Sequence, residues 1–231
     1  MSRFAALLKQ AEFIVTAELN PPKSASAAVV RRRASVLRGF VDAVNVKDLD
    51  GIGLVRMAVG MRDQRRFLSG DEIRHPPAYL VGATASPFTK PMSADLDKTL
   101  EKIAAGAEFL QTQPVFDLAT FGQWLAALRR AAPKDVPIIA GVLVLRNAEQ
   151  TERLAKVPGL ALGTEVEGRM RKAHDGEREG IAIAVEMIRA LRALPGVRGV
   201  HLYAIEWPEA VPLVTERAGL LPRAEAKVAA S

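Results

Sequence analysis

Short apolar runs alternate along this chain with longer segments in which apolar residues return every three or four positions. The runs Phe13–Leu19, Val41–Val46, Tyr79–Ala83, Ala107–Leu110, Val136–Leu145 and Val200–Ile205 have the length and flanking turn residues of buried strands. Helical spacing fills the intervals: Ser26–Leu37, Leu54–Leu68, Met92–Gly106, Leu118–Ala131, Ala148–Ala155, Thr164–Ala173, Glu177–Ala193 and Trp207–Ala218. Each strand is thus followed by at least one helix.

The unit is clearest between Tyr79 and Asp117. Leu96, Leu100, Ile103 and Ala107 share one helical face, Ser93 is placed to cap that helix, and Gly106 to stop it. Asp95 and Asp97 lie in its first turn, where the helix dipole favours carboxylates. Strand, crossover helix and parallel strand is the repeating unit of the α/β barrels. The pattern predicts an α/β fold of the TIM-barrel type, incomplete, with six parallel strands in place of eight. No Pro-, Gly- or Ser-rich linker divides residues 1–231, which read as one domain with a frayed tail at Arg223–Ser231.

Composition narrows the function classes. The 231 residues are on the short side for a complete barrel, typically ~250 residues. With 49% hydrophobic and 25% charged residues the chain has the make-up of a folded soluble protein. The absence of cysteine excludes disulfides and thiolate metal sites. The apolar runs are too short to span a membrane, and the start MSRFAALLKQAEF lacks a signal-peptide core, so a cytoplasmic location is expected. The net charge of +6 comes from arginine clusters at Arg31–Arg33 with Arg38, at Arg62, Arg65 and Arg66, and at Arg129 and Arg130. These read either as solvated helix faces or as attraction for an anionic ligand. Aromatics make up only 5% and do not interleave with the basic clusters, which argues against nucleic acid.

Barrels of this kind carry their chemistry where strands end. Those positions hold Glu18, then Asn45, Lys47 and Asp48, then Thr84 and Ser86, then Gln111 and Gln113, then Tyr203 and Glu206, with His201 nearby. His75, His174 and His201 are scattered, so no metal site is expected. Nucleophile-elbow, P-loop and dinucleotide glycine motifs are absent. What remains is a set of hydrogen-bonding side chains around one acid, suited to orienting a planar polar ring. Glu18 closes a strongly apolar strand; burial would raise its pKa and make it a general acid, or a neighbouring donor holds it as a structural carboxylate. Gln113 can pair with a ring amide edge or cap its own loop. Tyr203 can stack on a ring or fill the core. Asp95, Lys98 and Lys102 form one polar helical stripe, which alone reads as a solvated face.

Several blocks carry a family resemblance in order: TAELNPPK, DAVNVKD, VGATASPFTKP, AGAEFLQTQPVFD, PIIAGVLVLRN, GVHLYAIEW and AVPLVTERAGLLP. The chain resembles the methylenetetrahydrofolate reductase family. The resemblance implies a barrel that uses FAD to pass a hydride from NADH or NADPH to 5,10-methylenetetrahydrofolate, giving 5-methyltetrahydrofolate for one-carbon and methionine metabolism. It implies that Glu18 is the general acid for opening the methylene bridge, that Gln113 contacts the pterin, and that Tyr203 lines the substrate site. It implies that Asp95 and Lys102 contact the flavin's ribityl and phosphate groups.

The chain also departs from the family. About two strand–helix units, ~60 residues at ~30 per unit, are absent after the second strand, where the family keeps contacts to the flavin ring. Lys47 stands where the family has a threonine, and Trp207 where some members have an arginine. Two readings follow: a shortened reductase, or a non-catalytic folate-binding or partner subunit that has lost the flavin pocket. A third is a poorly folded deletion product, since a six-stranded barrel leaves open edges. A second copy is the expected cover for such an edge, and an electron-transfer partner is an alternative to NADH or NADPH as the source of electrons.

Overall fold

The computed structural model describes residues 6–8, 10, 13–18, 43–45, 51–66 and 72–223. Among the described residues six strands form one all-parallel sheet: β1 (Ile14–Glu18), β2 (Ala43–Asn45), β3 (Gly82–Ala85), β4 (Phe109–Pro114), β5 (Ile138–Leu143) and β6 (Val197–Tyr203). Their order across the sheet is β2-β1-β6-β5-β4-β3. First and last strands are therefore neighbours, with Thr16 level with His201. That is the join that closes a barrel. Every consecutive pair is adjacent except β2 and β3, between which no pairing occurs among the described residues. The result is an incomplete TIM-barrel-like (β/α) fold whose gap falls where the sequence lacks two units.

The helices are α1 (Ile52–Val59), α2 (Met92–Ala104), α3 (Leu118–Ala131), α4 (Ala148–Ala155), α5 (Thr164–Lys172), α6 (Gly176–Ala193) and α7 (Ala210–Arg217). Side-chain alternation sorts each strand into two faces. Val15, Leu110, Ile138, Ala140, Val142, Val200 and Leu202 pack outward with Phe121, Trp124, Ile188 and Val214 of the helices. The opposite, inner face is apolar at its lower end, where Ile14 and Ile139 meet Leu7 and Phe109. Further along the strands it turns polar, with Thr16, His201 and Gln111 all buried. Strand β5 is buried on both faces, as the centre of a parallel sheet should be.

Most helix limits match the periodicity, and the differences have local causes. Ser93 does not cap α2: Pro91 holds the N-cap position and no side chain bonds there. Gly106 does stop it, at φ 110, a conformation that favours glycine. The expected helix Leu54–Leu68 begins earlier, at Ile52, and gives way after Val59 to a π-helical turn, Gly60–Gln64, ended by the left-handed Arg65. The expected helix from Trp207 begins only at Ala210, because Trp207–Glu209 are taken up by turns following Glu206 at φ 54. Strand β4 runs from Phe109 to Pro114 rather than ending at Leu110, so Gln111, Thr112 and Gln113 belong to the strand itself. Asp117 caps α3, accepting 2.9 Å and 2.6 Å bonds from the Thr120 amide and hydroxyl. The expected helix Ser26–Leu37 and the arginines within it lie outside the described residues, as do 224–231. Arg223 donates to the Phe13 carbonyl at 2.7 Å.

Arg62 is not a solvated cation of the expected kind. It pairs with Asp63 and Glu108 and donates to the Tyr79 carbonyl at 3.2 Å. Glu108 also accepts from the Val81 amide at 3.0 Å. This network pins the segment that follows the gap against the lower ends of β3 and β4.

Candidate functional site

The polar half of the inner face is organised by a fault in β4. Its pairing with β5 shifts between Gln111, level with Ile139, and Pro114, level with Gly141. The extra residue makes a bulge, and the bulged backbone crosses over Gly141. A Cβ on Gly141 would sit 2.6 Å from the Thr112 carbonyl oxygen and 2.7 Å from that of Gln113, so only glycine leaves room. The Thr112 hydroxyl accepts from the Gly141 amide at 3.0 Å and fixes the crossing. Bulges beside sites re-aim side chains. Here Gln111 and Thr112 are buried while Gln113 is exposed at the strand's end.

Tyr203 is drawn to the same place. Its hydroxyl donates to the Thr112 carbonyl at 3.1 Å, spanning β5 from β6 to β4. Its ring meets His201 edge-on, with centroids 4.3 Å apart. His201 is fully buried and shares a 2.7 Å hydrogen bond, through Nδ1, with the Thr16 hydroxyl on β1. Among the described residues its Nε2 has no hydrogen-bond partner. Glu18 is the last residue of β1, two positions beyond Thr16 and level with Asn45 of β2. Its strand neighbour Ala17 pairs with Leu202, so Glu18 stands at the height of Tyr203. The strand ends thus bring Tyr203 against the Gln113 bulge and place Glu18 one strand away on the other side of β6.

Burial holds the His201 imidazole neutral, lowering its pKa from 6.5 to about 3. In the unfolded chain the ring protonates as pH falls below about 6.5, whereas the folded protein resists until about 3. Stability contributed by keeping the ring neutral is present above that window and lost through it. His201→Phe is therefore expected to flatten the acid limb of a urea-denaturation stability profile between these pH values. A limb as steep as that of the parent would refute the assignment.

Asp95 and Lys102 form a separate group under the loop after β3. The sequence reading of one solvated stripe does not hold: Lys98 is exposed, but Asp95 and Lys102 are 7% and 8% exposed. Asp95 accepts from the Ser86 amide at 2.9 Å, the Trp124 indole at 3.1 Å and the Thr99 hydroxyl at 3.3 Å. Lys102 donates to the Thr84 carbonyl at 2.9 Å. Together they tie the β3 loop to α2 and α3. Asp95→Ala strands the indole and amide donors in a buried setting and is expected to cost about 2 kcal/mol, read as a shift in the urea midpoint. A shift within error of zero would show that the triad carries no stability.

The same geometry bears on FAD. The two side chains expected to hold a flavin tail are buried and committed to protein partners, and the described residues provide no strands where the ring would rest. This arrangement does not fit a flavin held by Asp95 and Lys102.

A cavity of about 490 Å³ lies at the other end of the sheet, where β5 begins, bordered by Ile103, Leu128, Arg129, Lys134 and Asp135. It is remote from the strand ends that gather Tyr203 and Gln113. Sequence reasoning passed over three contributors to the site: Thr16, Gly141 and His201 as a paired rather than merely nearby residue. Gly141 carried a usable signal, since a glycine inside a strand marks a bulge or a close backbone approach. Among the described residues no helix is long and apolar enough to cross a membrane.

Comparison with known proteins bears on this geometry. The family model for methylenetetrahydrofolate reductase matches residues 78–219, which include Asp95, Lys102, Gln113 and Tyr203 but not Glu18. Methylenetetrahydrofolate reductase 1 of Schizosaccharomyces pombe is 29% identical over 151 residues, 62% of this chain and 25% of that protein. Methylenetetrahydrofolate reductase 2 of Saccharomyces cerevisiae is 28% identical over 137 residues, 58% of this chain and 23% of that protein. The chain spans about a quarter of the length of these curated relatives. Among solved structures, an uncharacterised Clostridium thermocellum protein described as binding two copies of 5-methyl-5,6,7,8-tetrahydrofolic acid superposes with a TM-score of 0.64 at 14% identity. The match covers 93% of this chain and 100% of that one, and shows a shared fold.

Proposed function

Because the chain belongs to the methylenetetrahydrofolate reductase family, we propose that its strand-end site binds a reduced folate and reduces 5,10-methylenetetrahydrofolate to 5-methyltetrahydrofolate. The observation that carries this reading is the gathering of Gln113 and Tyr203 at one bulge, beside the strand that ends in Glu18. Gln113 is exposed and offers both a donor and an acceptor, the match for a pterin's amide edge. The half-buried Tyr203 ring offers a flat wall. Glu18 gives a proton to the bridge nitrogen as its bond to the methylene carbon breaks. The carbon, now an iminium, accepts a hydride from NADH or NADPH, which leaves as the oxidised nicotinamide. One proton and one hydride enter and the bridge becomes a methyl group. A protein of the same fold described as holding 5-methyltetrahydrofolate supports the ligand class.

A second reading has its own support. With Asp95 and Lys102 turned into the fold, the chain is suited to binding folate without turnover, as a partner subunit fed by another protein. Two measurements separate the readings. Calorimetric titration with 5-methyltetrahydrofolate is expected to show saturable binding under both. The visible spectrum, recorded with and without added FAD, together with turnover using NADH and NADPH, then decides. Turnover establishes the reductase, binding alone establishes the partner subunit, and no binding removes both.

A further inference from the structure

We propose that His201 is a positioning residue, the central piece of a strut that sets how far the strand end carrying Glu18 stands from the strand end carrying Gln113; its functional meaning rests on the folate reading above. Every link is visible. The Thr16 hydroxyl on β1 bonds His201 Nδ1 at 2.7 Å. The His201 ring meets the Tyr203 ring edge-on at 4.3 Å. Tyr203 bonds the Thr112 carbonyl on β4 at 3.1 Å, one residue before Gln113. The line crosses four strands on the inner face of the sheet, passing β5 at Gly141, which has no side chain to obstruct it.

The choice of residue is informative. His201 is fully buried, and among the described residues its Nε2 has no partner; a buried nitrogen without a partner penalises folding. An apolar side chain of similar size would avoid that penalty. A buried polar group kept despite such a penalty points to a demand other than stability. A strut supplies it, because only a ring with a nitrogen on one side both bonds Thr16 and presents an edge to Tyr203. Among the described residues no pairing joins β2 to β3 and no further strand holds β1 and β4 around that side. The spacing of their ends rests on contacts across the inner face.

The experiment uses the full chain with Thr16→Val, His201→Phe, the double variant, and His201→Asn. Asparagine places a polar atom near the Nδ1 position, while phenylalanine keeps the ring edge and loses the bond. Affinity for 5-methyltetrahydrofolate is expected to stay nearly unchanged, with turnover of 5,10-methylenetetrahydrofolate down about tenfold or more in both single variants, as a misplaced acid would give. The double variant should lose no more than either single one, and His201→Asn should recover part of what His201→Phe loses. The melting temperature of the double variant, which leaves neither hydrogen-bond partner stranded, should equal or exceed that of the parent. A filler role would instead lower melting temperature, affinity and turnover together, and that pattern overturns the proposal. Hydrogen exchange supplies a readout that needs no folate. Amides at 16–18 and 112–114 should exchange faster in the single variants, with the rest unchanged. If the parent neither binds nor turns over folate but this exchange pattern appears, the strut stands and the folate reading falls. If exchange at both strand ends is unchanged, the strut falls whatever the activity.

Discussion

Glu18→Gln is expected to lower turnover of 5,10-methylenetetrahydrofolate by about 10²–10⁴-fold while leaving affinity for 5-methyltetrahydrofolate nearly unchanged. Glutamine keeps the size and the hydrogen-bonding reach of the side chain and removes only its ability to give up a proton. Bridge opening needs that proton in the transition state, whereas the product already carries a methyl group and asks nothing of the acid. The loss should therefore fall on kcat and kcat/KM together. Steady-state rates with NADH and NADPH, set beside calorimetric affinities, provide the check. Full activity in the variant would take the acid role away from Glu18. A fall in affinity equal to the fall in turnover would make Glu18 a binding residue instead.

Gly180→Ala should be among the most damaging single changes in the fold. Alanine is normally the better helix residue, by roughly 1 kcal/mol. At Gly180, in the first half of α6, the added Cβ would lie 1.7 Å from the Leu145 carbonyl oxygen and 2.6 Å from its carbon. Both are backbone atoms in the segment just after β5, so no side chain can swing aside. Helix and strand must separate, and a loss of about 3 kcal/mol or more is expected from overpacking. Gly168→Ala in α5 is the matched control, since its added Cβ meets nothing within 4 Å. It should stabilise by about 0.5–1 kcal/mol. Urea midpoints for the pair, measured side by side, test the contrast. Equal midpoints would mean that the close approach of α6 to β5 is not rigid.

Periodicity was enough to read the helices whose apolar faces meet the sheet. Leu118–Ala131 and Ala148–Ala155 keep their expected limits because their capping residues, Asp117 and Asn147, lie in the local sequence. The count of six strands was also legible, since each strand is an apolar run between turn residues; the place of the gap, after the second, followed from the family resemblance. Burial of Asp95 and Lys102 was not. A helical stripe of charge looks the same whether it meets water or a loop, and the Ser86 amide and Trp124 indole that claim Asp95 are fixed only by tertiary packing. The β4 bulge escaped notice for a similar reason. It depends on Gly141, 28 residues beyond Gln113, and no local propensity links the two. His201 looked like a stray titratable group because its partner, Thr16, is 185 residues away.

The placement of the gap gives the chain a latent second connectivity. Traced from β3, the sheet of the described residues reads β3-β4-β5-β6-β1-β2, so spatial order follows sequence order except at one join, β6 to β1. That join is already bridged, because the Arg223 guanidinium touches the Phe13 carbonyl at 2.7 Å. A circular permutant joined by a short linker near these residues and opened between β2 and β3 would wind its sheet from one edge to the other. Every strand would then pair with its neighbour in sequence. The most distant pairing in the chain would become a local one, and the permutant should fold faster than the parent from the same set of native contacts.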